Sequence, residues 1–313
     1  MKKIFSLVVS LLFIATISLS AQVRQLTEKD LEGVNIIVAN DLGRNGYYEQ
    51  KPIAEQMGEW AEKADVEFVA AIGDVHHFNG IISTQDPLWT TNYELIYKHP
   101  ELMIDWYATL GNHEYRGNTQ AVLDYKNVSR RWVMPDRYYT LTQEADDGST
   151  IRYVFLDTTP LIDKYRNDNT DYPDACKQDM EKQLAYVDSV LTVSKETWTV
   201  VMGHHPIYSE TRKNISERTD LQKRLDPILR KHNVDFYING HIHNFQHIKI
   251  KESPIHYFTN SSASLSRKVK DTEGTQFKSD KAGFSILSAN KTRLAIYFMD
   301  GNGDCIYGFE KKK

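Results

Sequence analysis

Only two cysteines, Cys176 and Cys305, occur in 313 residues. That scarcity excludes a disulfide-built scaffold and a four-thiolate zinc site; the two thiols would be free to pair with one another in an oxidising compartment. Positive charge is not in excess either. With 38 Lys and Arg against 42 Asp and Glu the net charge is −4, which argues against nucleic acid as a partner held by general phosphate attraction. Glycine (16) and proline (9) are too few for a collagen-like or low-complexity chain. After residue 21 no apolar run is long enough to span a bilayer, which takes about 20 residues. A chain of this length buries roughly three-quarters of its unfolded surface, so the fold needs no covalent staples. What the sequence does have is histidine: of 11, seven fall into four tight groups, His76–His77, His113, His204–His205 and His241 with His243.

The first 21 residues are set apart by composition. Lys2 and Lys3 precede an apolar run from Ile4 to Leu19, and small residues Ser18, Ser20 and Ala21 close it. A basic end, a short apolar core and a small-residue exit form the layout of a secretory signal peptide. The run also contains Ser6, Ser10, Thr16 and Ser18 and is too short for a membrane anchor. The expectation is a signal peptide over 1–21, cleaved after Ser20 or Ala21. Residues 22–313 then form one domain, exported to a periplasmic or secreted location and not tied to a membrane.

The mature part alternates short apolar runs with amphipathic stretches. Val34–Asn40, Val66–Ile72, Leu102–Leu110, Ile151–Leu156, Thr197–Met202 and Val234–Ile238 read as strands; Tyr48–Ala64 and Lys177–Leu191 have helical spacing. Such alternation predicts βαβ units in an α/β domain. Beyond Gln246 the pattern changes to short strands with hairpin turns at Asn290-Lys291 and Gly301-Asn302-Gly303.

Five predicted strands each end in polar residues. They run into Asp41-Leu42-Gly43, Gly73-Asp74-Val75-His76-His77, Gly111-Asn112-His113-Glu114, Gly203-His204-His205 and Asn239-Gly240-His241-Ile242-His243. Open α/β sheets place their ligand crevice at the carboxyl ends of strands. Imidazole, carboxylate and amide donors without thiolate suit zinc, iron or manganese, not an all-oxygen calcium site. The donors outnumber the four that one tetrahedral ion needs. Two ions about 3.5–4 Å apart would use them all and would clamp a phosphoryl group during in-line displacement.

The series DLG, GDVHHF, GNHEY, GHHP and GHIH resembles the five-block signature of calcineurin-like metallophosphoesterases, and more narrowly the small, mammalian-type purple (tartrate-resistant) acid phosphatases. The likeness extends through WYATLGNHEYRGN, RRWVMPDRYYTL, VFLDTTPL and VVMGHHPIYS and covers roughly residues 34 to 300. It implies an α+β four-layer architecture, two packed mixed β-sheets flanked by helices. It also implies a ligand set: Asp41, Asp74 and His243 for the first metal, and Asp74, Asn112, His204 and His241 for the second, Asp74 bridging. Asn112 and His113 would contact the substrate phosphate, with His113 as proton donor. His205 either contacts substrate or packs. The reaction implied is hydrolysis of small phosphomonoesters by in-line attack of a hydroxide held between the metals.

The chain departs from that family at one ligand. Purple acid phosphatases carry a tyrosine three residues after the bridging Asp; here the residue is His77, and Gly43 stands where the wider superfamily has a histidine. His77 is the natural substitute, ahead of His76. Replacing a phenolate by imidazole lowers the ligand charge from −3 to −2 and disfavours Fe(III) relative to a divalent ion. The expectation is a divalent pair, no purple colour and a pH optimum moved from acidic toward neutral. The loop after GHHPIYS offers Glu210, Arg212 and Lys213 where the family often has another substrate-side histidine. Tyr47, Tyr48 and Tyr115 either line the mouth or pack; His99, His232, His247 and His256 read as surface or structural. Two other functions fit the same scaffold, a phosphodiesterase or nucleotidase, and a secreted protein that binds metal without catalysis.

Overall fold

The computed structural model describes residues 23–211 and 215–313. The expected signal segment, Arg212 and Lys213 lie outside the described residues. Two seven-stranded mixed sheets pack face to face. In the first, β1 (Val34–Ala39), β2 (Val66–Ile72), β3 (Asp105–Thr109) and β4 (Trp132–Val133) run parallel, and the last hairpins supply the rest in the order β14-β13-β12-β1-β2-β3-β4. The second has the order β11-β9-β10-β8-β7-β6-β5. Its strands are β5 (Tyr139–Glu144), β6 (Thr150–Leu156), β7 (Trp198–Gly203), β8 (Phe236–Asn239), β9 (Phe245–Ile248), β10 (His256–Thr259) and β11 (Thr275–Ser279). The first sheet's hairpins are β12 (Gly283–Ala289), β13 (Arg293–Asp300) and β14 (Cys305–Lys312). Their turns fall at the Asn290 and Gly301–Gly303 positions that the sequence marked.

The central strands are predominantly apolar because both faces are covered. Every residue of β1 is buried, as is every residue of β2 but Glu67. Between the sheets, Phe68 of β2 meets Tyr107 of β3 edge-on at 4.9 Å and Tyr153 of β6 at 5.4 Å; at the other end Phe298 of β13 stacks on Phe245 of β9 at 4.6 Å. Edge-on and offset pairs of this kind add about 0.5–1.5 kcal/mol each beyond burial. Helices α1 (Gln50–Lys63), α2 (Thr119–Asp124), α3 (Asp163–Arg166), α4 (Met180–Thr192), α5 (Ile215–Arg224) and α6 (Asp226–Lys231) flank the sheets. Helix α1 buries Ile53, Ala54, Met57, Gly58 and Ala61, the stripe its spacing predicts. It begins two residues later than expected because Tyr48 sits at φ +55°, outside helical space.

Register brings the strand ends level. Ala39 pairs with Ala71 and Ile72 with Thr109 in the first sheet, and Met202 with Ile238 in the second. All five polar turns therefore open at one edge of the sandwich. Cys176 is exposed and Cys305 buried, and both are free thiols. No helix of the described residues is long and apolar enough to cross a membrane.

Candidate metal centre

The turns after β1 and β2 are built alike. Asp41 and Asp74 both adopt left-handed backbone, at φ +51° and +53°, which aims their carboxylates back across the strand ends. Each turn is tied to the other by Asp41 N–H donating to Gly73 O and Leu42 N–H donating to Asp74 O, both at 3.0 Å. Two glycines allow the close approach. A Cβ on Gly111 would stand 2.2 Å from Asp74 Oδ1, and one on Gly73 2.6 Å from His204 Nδ1.

A first cluster joins Asp41, His77 and His243. His243 Nε2 lies 3.0 Å and His77 Nε2 3.9 Å from Asp41 Oδ1. A second joins Asp41, Asp74 and His204, with His204 Nε2 3.0 Å from Asp74 Oδ2; His77 Nε2 is 3.5 Å from that same oxygen. Within each cluster one ligand atom per residue lies within 4.8 Å of the others. Despite these separations, Asp41 Oδ1, both ring nitrogens of His77, Asn112 Oδ1 and His204 Nε2 are buried without any hydrogen bond. Buried polar atoms normally find partners. Here they approach one another but aim at shared points in space, which is what cation ligation requires; the residues fit a metal pair.

The outer shell supports the same assignment. His204 Nδ1 donates to Ile72 O (3.0 Å) and His243 Nδ1 to Leu265 O (2.7 Å), leaving each Nε2 for the centre. His241 turns its Nε2 to Glu217 Oε2 of α5 at 3.0 Å. Carbonyl or carboxylate partners of this sort fix ring orientation and tautomer in metal sites. Asp41 Oδ2 accepts from Asn40 Nδ2 (2.7 Å) and from His241 N–H (2.9 Å), while Ser262 and Ser264 hydroxyls donate to Asp41 O. Glu114 caps the second turn: Oε2 accepts from Asp74 N–H (2.8 Å) and Gly111 N–H (2.7 Å), Oε1 from His76 N–H (3.0 Å).

Electrostatics reflect a cluster made of acids and imidazoles. Burial works to raise Asp41 and Asp74, but neighbouring His243 and His204 in the first case, and His204 and His113 in the second, hold both well below the usual carboxylate range. Burial works to lower His204, yet the adjacent Asp74 and Asp41 push it up to about 10. In the metal-free chain a proton held on His204 offsets part of the carboxylate charge, and metal loading releases it.

His113 lies on the open side. Its Nδ1 donates to Phe78 O at 2.6 Å, and its Nε2 is 3.8 Å from Asp74 Oδ2. Burial pushes its imidazole down to about 4. His76 faces away, edge-on to Trp89 at 4.4 Å. The expectation that His205 contacts phosphate meets a geometric obstacle. The residue is fully buried behind His241, and its nitrogens are taken by Thr158 Oγ1 (2.9 Å) and Tyr165 OH (3.2 Å). Tyr115 is buried against Asp157, whereas Tyr47 and Tyr48 are 72 % and 65 % exposed at the mouth. Glu210 accepts a hydrogen bond from Lys270 N–H. His247 and His256 hydrogen-bond each other inside the second sheet, and His232 pairs with Asp188 at 2.7 Å.

Residues that sequence reasoning missed include Asn40, Glu114, Glu217, Ser262 and Ser264. Glu114 stood in view within GNHE, and the others carried no signal.

Residues 34–245 match the family model described as calcineurin-like phosphoesterase. The chain belongs to that family. It is an enzyme of the phosphoesterase class, and its relatives are purple acid phosphatases. It is 33 % identical to purple acid phosphatase 3 of Arabidopsis thaliana over 94 % of this chain and 82 % of that protein. To rabbit (Oryctolagus cuniculus) tartrate-resistant acid phosphatase type 5 it is 26 % identical, over 81 % and 82 %. Among solved structures, GAP50, named as the anchor in the inner membrane complex of Plasmodium, superposes with a TM-score of 0.76 at 22 % identity, covering 90 % of this chain and 89 % of that one. The yellow lupin (Lupinus luteus) purple acid phosphatase PPD1 gives 0.64 at 15 %, over 90 % and 54 %. These two likenesses concern the fold.

Proposed function

We propose that residues 22–313 form one exported phosphatase domain that hydrolyses small phosphomonoesters at a centre of two metal ions. The observation that carries the reading is the set of orphaned, buried ligand atoms on Asp41, His77, Asn112 and His204, converging at the ends of strands from both sheets. Asp41, His77 and His243 would hold one ion and Asn112, His204 and His241 the other, with Asp74 between them. Bound there, a pair of divalent cations would acidify water and neutralise phosphate oxygens.

The chain's own residues do the rest. Asp74 receives the His113 backbone N–H on Oδ1 at 2.9 Å, so the ligand turn also fixes the start of the segment bearing the proton donor. The Phe78 carbonyl holds His113 Nδ1, which commits Nε2 to the open face. A bound phosphate dianion beside that ring raises its pKa from the depressed value of the empty site. Nε2 then carries the proton to the departing alcohol oxygen. His205, held by Thr158 and Tyr165, acts as a positioning residue against the His241 ring. Export rests on the pattern of residues 1–21.

The test is metal analysis of purified protein together with turnover of p-nitrophenyl phosphate. Two ions per chain and measurable hydrolysis are expected, with Asp74→Ala and His113→Ala each losing at least about 100-fold in kcat, the scale of general acid–base and metal contributions. Variants that turn over like the parent would overturn the reading.

A further inference from the structure

Asp157 follows β6 directly, and its carboxyl belongs to none of the metal clusters. The residue is 1 % exposed. Gln183 of α4 pins its backbone from both sides, accepting from Asp157 N–H (3.0 Å) and donating to Asp157 O (2.9 Å). Oδ2 accepts from Tyr115 OH at 2.5 Å, with Arg137 Nη1 3.9 Å away. Oδ1 is buried without a hydrogen bond; the Thr159 N–H approaches the carboxyl outside bonding geometry. A buried oxygen left in that state is costly and uncommon. Asp157 lines a pocket of about 330 Å³ together with Arg137, Tyr138, Pro160 and the start of α4. Orphaned oxygen and adjoining space are satisfied at once by a ligand that bonds to Oδ1.

The lining decides the charge of that ligand. Arg137 donates to Tyr115 OH (3.1 Å) and to Thr119 Oγ1 (2.8 Å), and a guanidinium has further N–H groups to give. The acids of the rim are already committed: Asp179 Oδ1 caps α4 by accepting Lys182 N–H (2.9 Å), and Asp136 Oδ1 accepts Arg137 N–H (2.7 Å). Lys177 is paired with Asp174 at 2.9 Å, whereas the Lys182 ammonium makes no ion pair among the described residues. Besides Asp157 the pocket is lined by the cations Arg137, Lys177 and Lys182 and the anions Asp136 and Asp179. With a proton on Asp157 the lining therefore carries one net positive charge, which suits a monoanion and not a dianion. Burial pushes the Asp157 carboxyl up to about 7, so that proton is at hand near neutrality.

We infer that this pocket binds a small monocarboxylate, whose oxygens accept from the Asp157 hydroxyl and from Arg137 while a short apolar body lies against Tyr138 and Pro160. The volume suits a ligand of a few carbon atoms. Binding is coupled to one proton, held between the ligand carboxylate and Asp157 Oδ1. The charged and titratable groups that face this carboxyl are Arg137, Lys177, Lys182, Asp136, Asp174 and Asp179, with the Tyr115 phenol on Oδ2. The pocket meets the metal centre only through its neighbours: Tyr115 stands two residues after His113, and Thr158 Oγ1 lies 2.9 Å from His205 Nδ1. Occupancy therefore requires neither metal ions nor the phosphatase reading.

Butyrate, butyramide and butylamine are close in size and differ in charge, and ligand-observed NMR on the metal-loaded protein gives the Kd of each. Butyrate is expected to bind at pH 6 with a Kd on the order of 1 mM, ordinary for so few heavy atoms, and at least tenfold more tightly than the other two. Its Kd should rise about tenfold from pH 6 to pH 8, the factor for a required proton on a group titrating at about 7. In Asp157→Asn the amide oxygen can accept from Tyr115 OH and the NH2 group can face the pocket, so butyrate binding should persist without that pH dependence. Arg137→Gln should weaken it at least tenfold. Lys182→Gln, at an exposed position where folding is not at risk, should weaken it about threefold. Butyramide or butylamine binding as well as butyrate would show that the pocket does not select a carboxylate, and a Kd flat with pH in the parent would remove Asp157 from the contact. Butyrate affinity unchanged in both Arg137→Gln and Lys182→Gln would put the carboxylate on the metal ions instead. Any of these results, or no binding of butyrate at 50 mM, overturns the inference.

Discussion

Glu114 spends both carboxylate oxygens on backbone N–H groups, yet removing it should damage the centre as much as removing a ligand. Its carboxylate is fully buried and accepts three backbone N–H groups, from Asp74, Gly111 and His76, at 2.7–3.0 Å. Glu114→Ala leaves three buried donors without partners, each costing about 1–3 kcal/mol, less whatever water entering the vacated space recovers. A loss of about 4 kcal/mol is expected, large for one substitution. Glu114→Gln is the informative companion. Its amide oxygen can still accept from Asp74 and Gly111, but its NH2 group faces the His76 N–H, so about 1–2 kcal/mol should be lost. Urea unfolding of metal-free protein measures both, as a fall in midpoint at constant slope. Metal competition against a chelator should show weaker binding in the order parent, Gln, Ala, because the left-handed turn that aims Asp74 is no longer tied down. If Glu114→Ala unfolds within 1 kcal/mol of the parent and keeps its metals, the idea that this carboxylate builds the turn is wrong.

With imidazole at position 77, metal-replete protein should be colourless and work best near neutral pH, and His77→Ala should lose one ion of two. A ferric–phenolate absorption band or a sharp acidic optimum in the parent would refute that account. Glu217→Gln keeps the shape of the His241 support but removes its charge, and should weaken metal binding by about 10–100-fold; unchanged affinity by chelator titration would make Glu217 a packing residue. A third expectation concerns Asp157, fully buried against Tyr115 OH at 2.5 Å with Arg137 3.9 Å away. Burial, only partly opposed by Arg137 and Tyr115, raises its pKa from 3.8 to about 7. A raised folded value means that its contribution is present below about pH 4 and is lost as pH climbs through 7. The loss amounts to up to about 4 kcal/mol at roughly 1.4 kcal/mol per pH unit. The stability of Asp157→Asn relative to the parent should therefore rise from pH 4 to pH 7.5, and a flat difference in unfolding free energy would contradict it.

The fold's centre was legible because β1, β2, β7 and β8 are largely buried on both faces and so read as near-continuous apolar runs, each punctuated by Gly and a polar residue. Two edge strands of the second sheet were not. β11 is part-exposed throughout and β5 buries only Tyr139, so neither shows an apolar run, and both follow from pairing with a neighbour. The histidine doublets show a second boundary of sequence reasoning. His76 and His77 differ by one position, but one ring packs on Trp89 and the other turns to Asp74; His204 and His205 split the same way. Which member faces the site is decided by tertiary burial. Glu217 lay further out of reach, 24 residues before the histidine it supports.

Backbone strain gives the site its physical unity. Among the described residues, Asp41, Asp74, His241 and His243 are four of the eight non-glycine positions with positive φ, at +51°, +53°, +71° and +63°. Each costs on the order of 1–2 kcal/mol relative to ordinary backbone. They persist because buried neighbours over-determine them: Glu114 under Asp74, Asn40 with Ser262 and Ser264 around Asp41, Glu217 on His241 and the Leu265 carbonyl on His243. A ligand on regular strand would alternate to one face of its sheet, and two packed sheets would then bury half the donors in the apolar core. Left-handed turns at the strand ends instead throw the side chains sideways, past the edge, where donors from both sheets can meet. The strain is thus the geometric condition for joining the two halves of the molecule at one centre, and the polar network beneath each turn is what keeps that centre formed before any ion arrives.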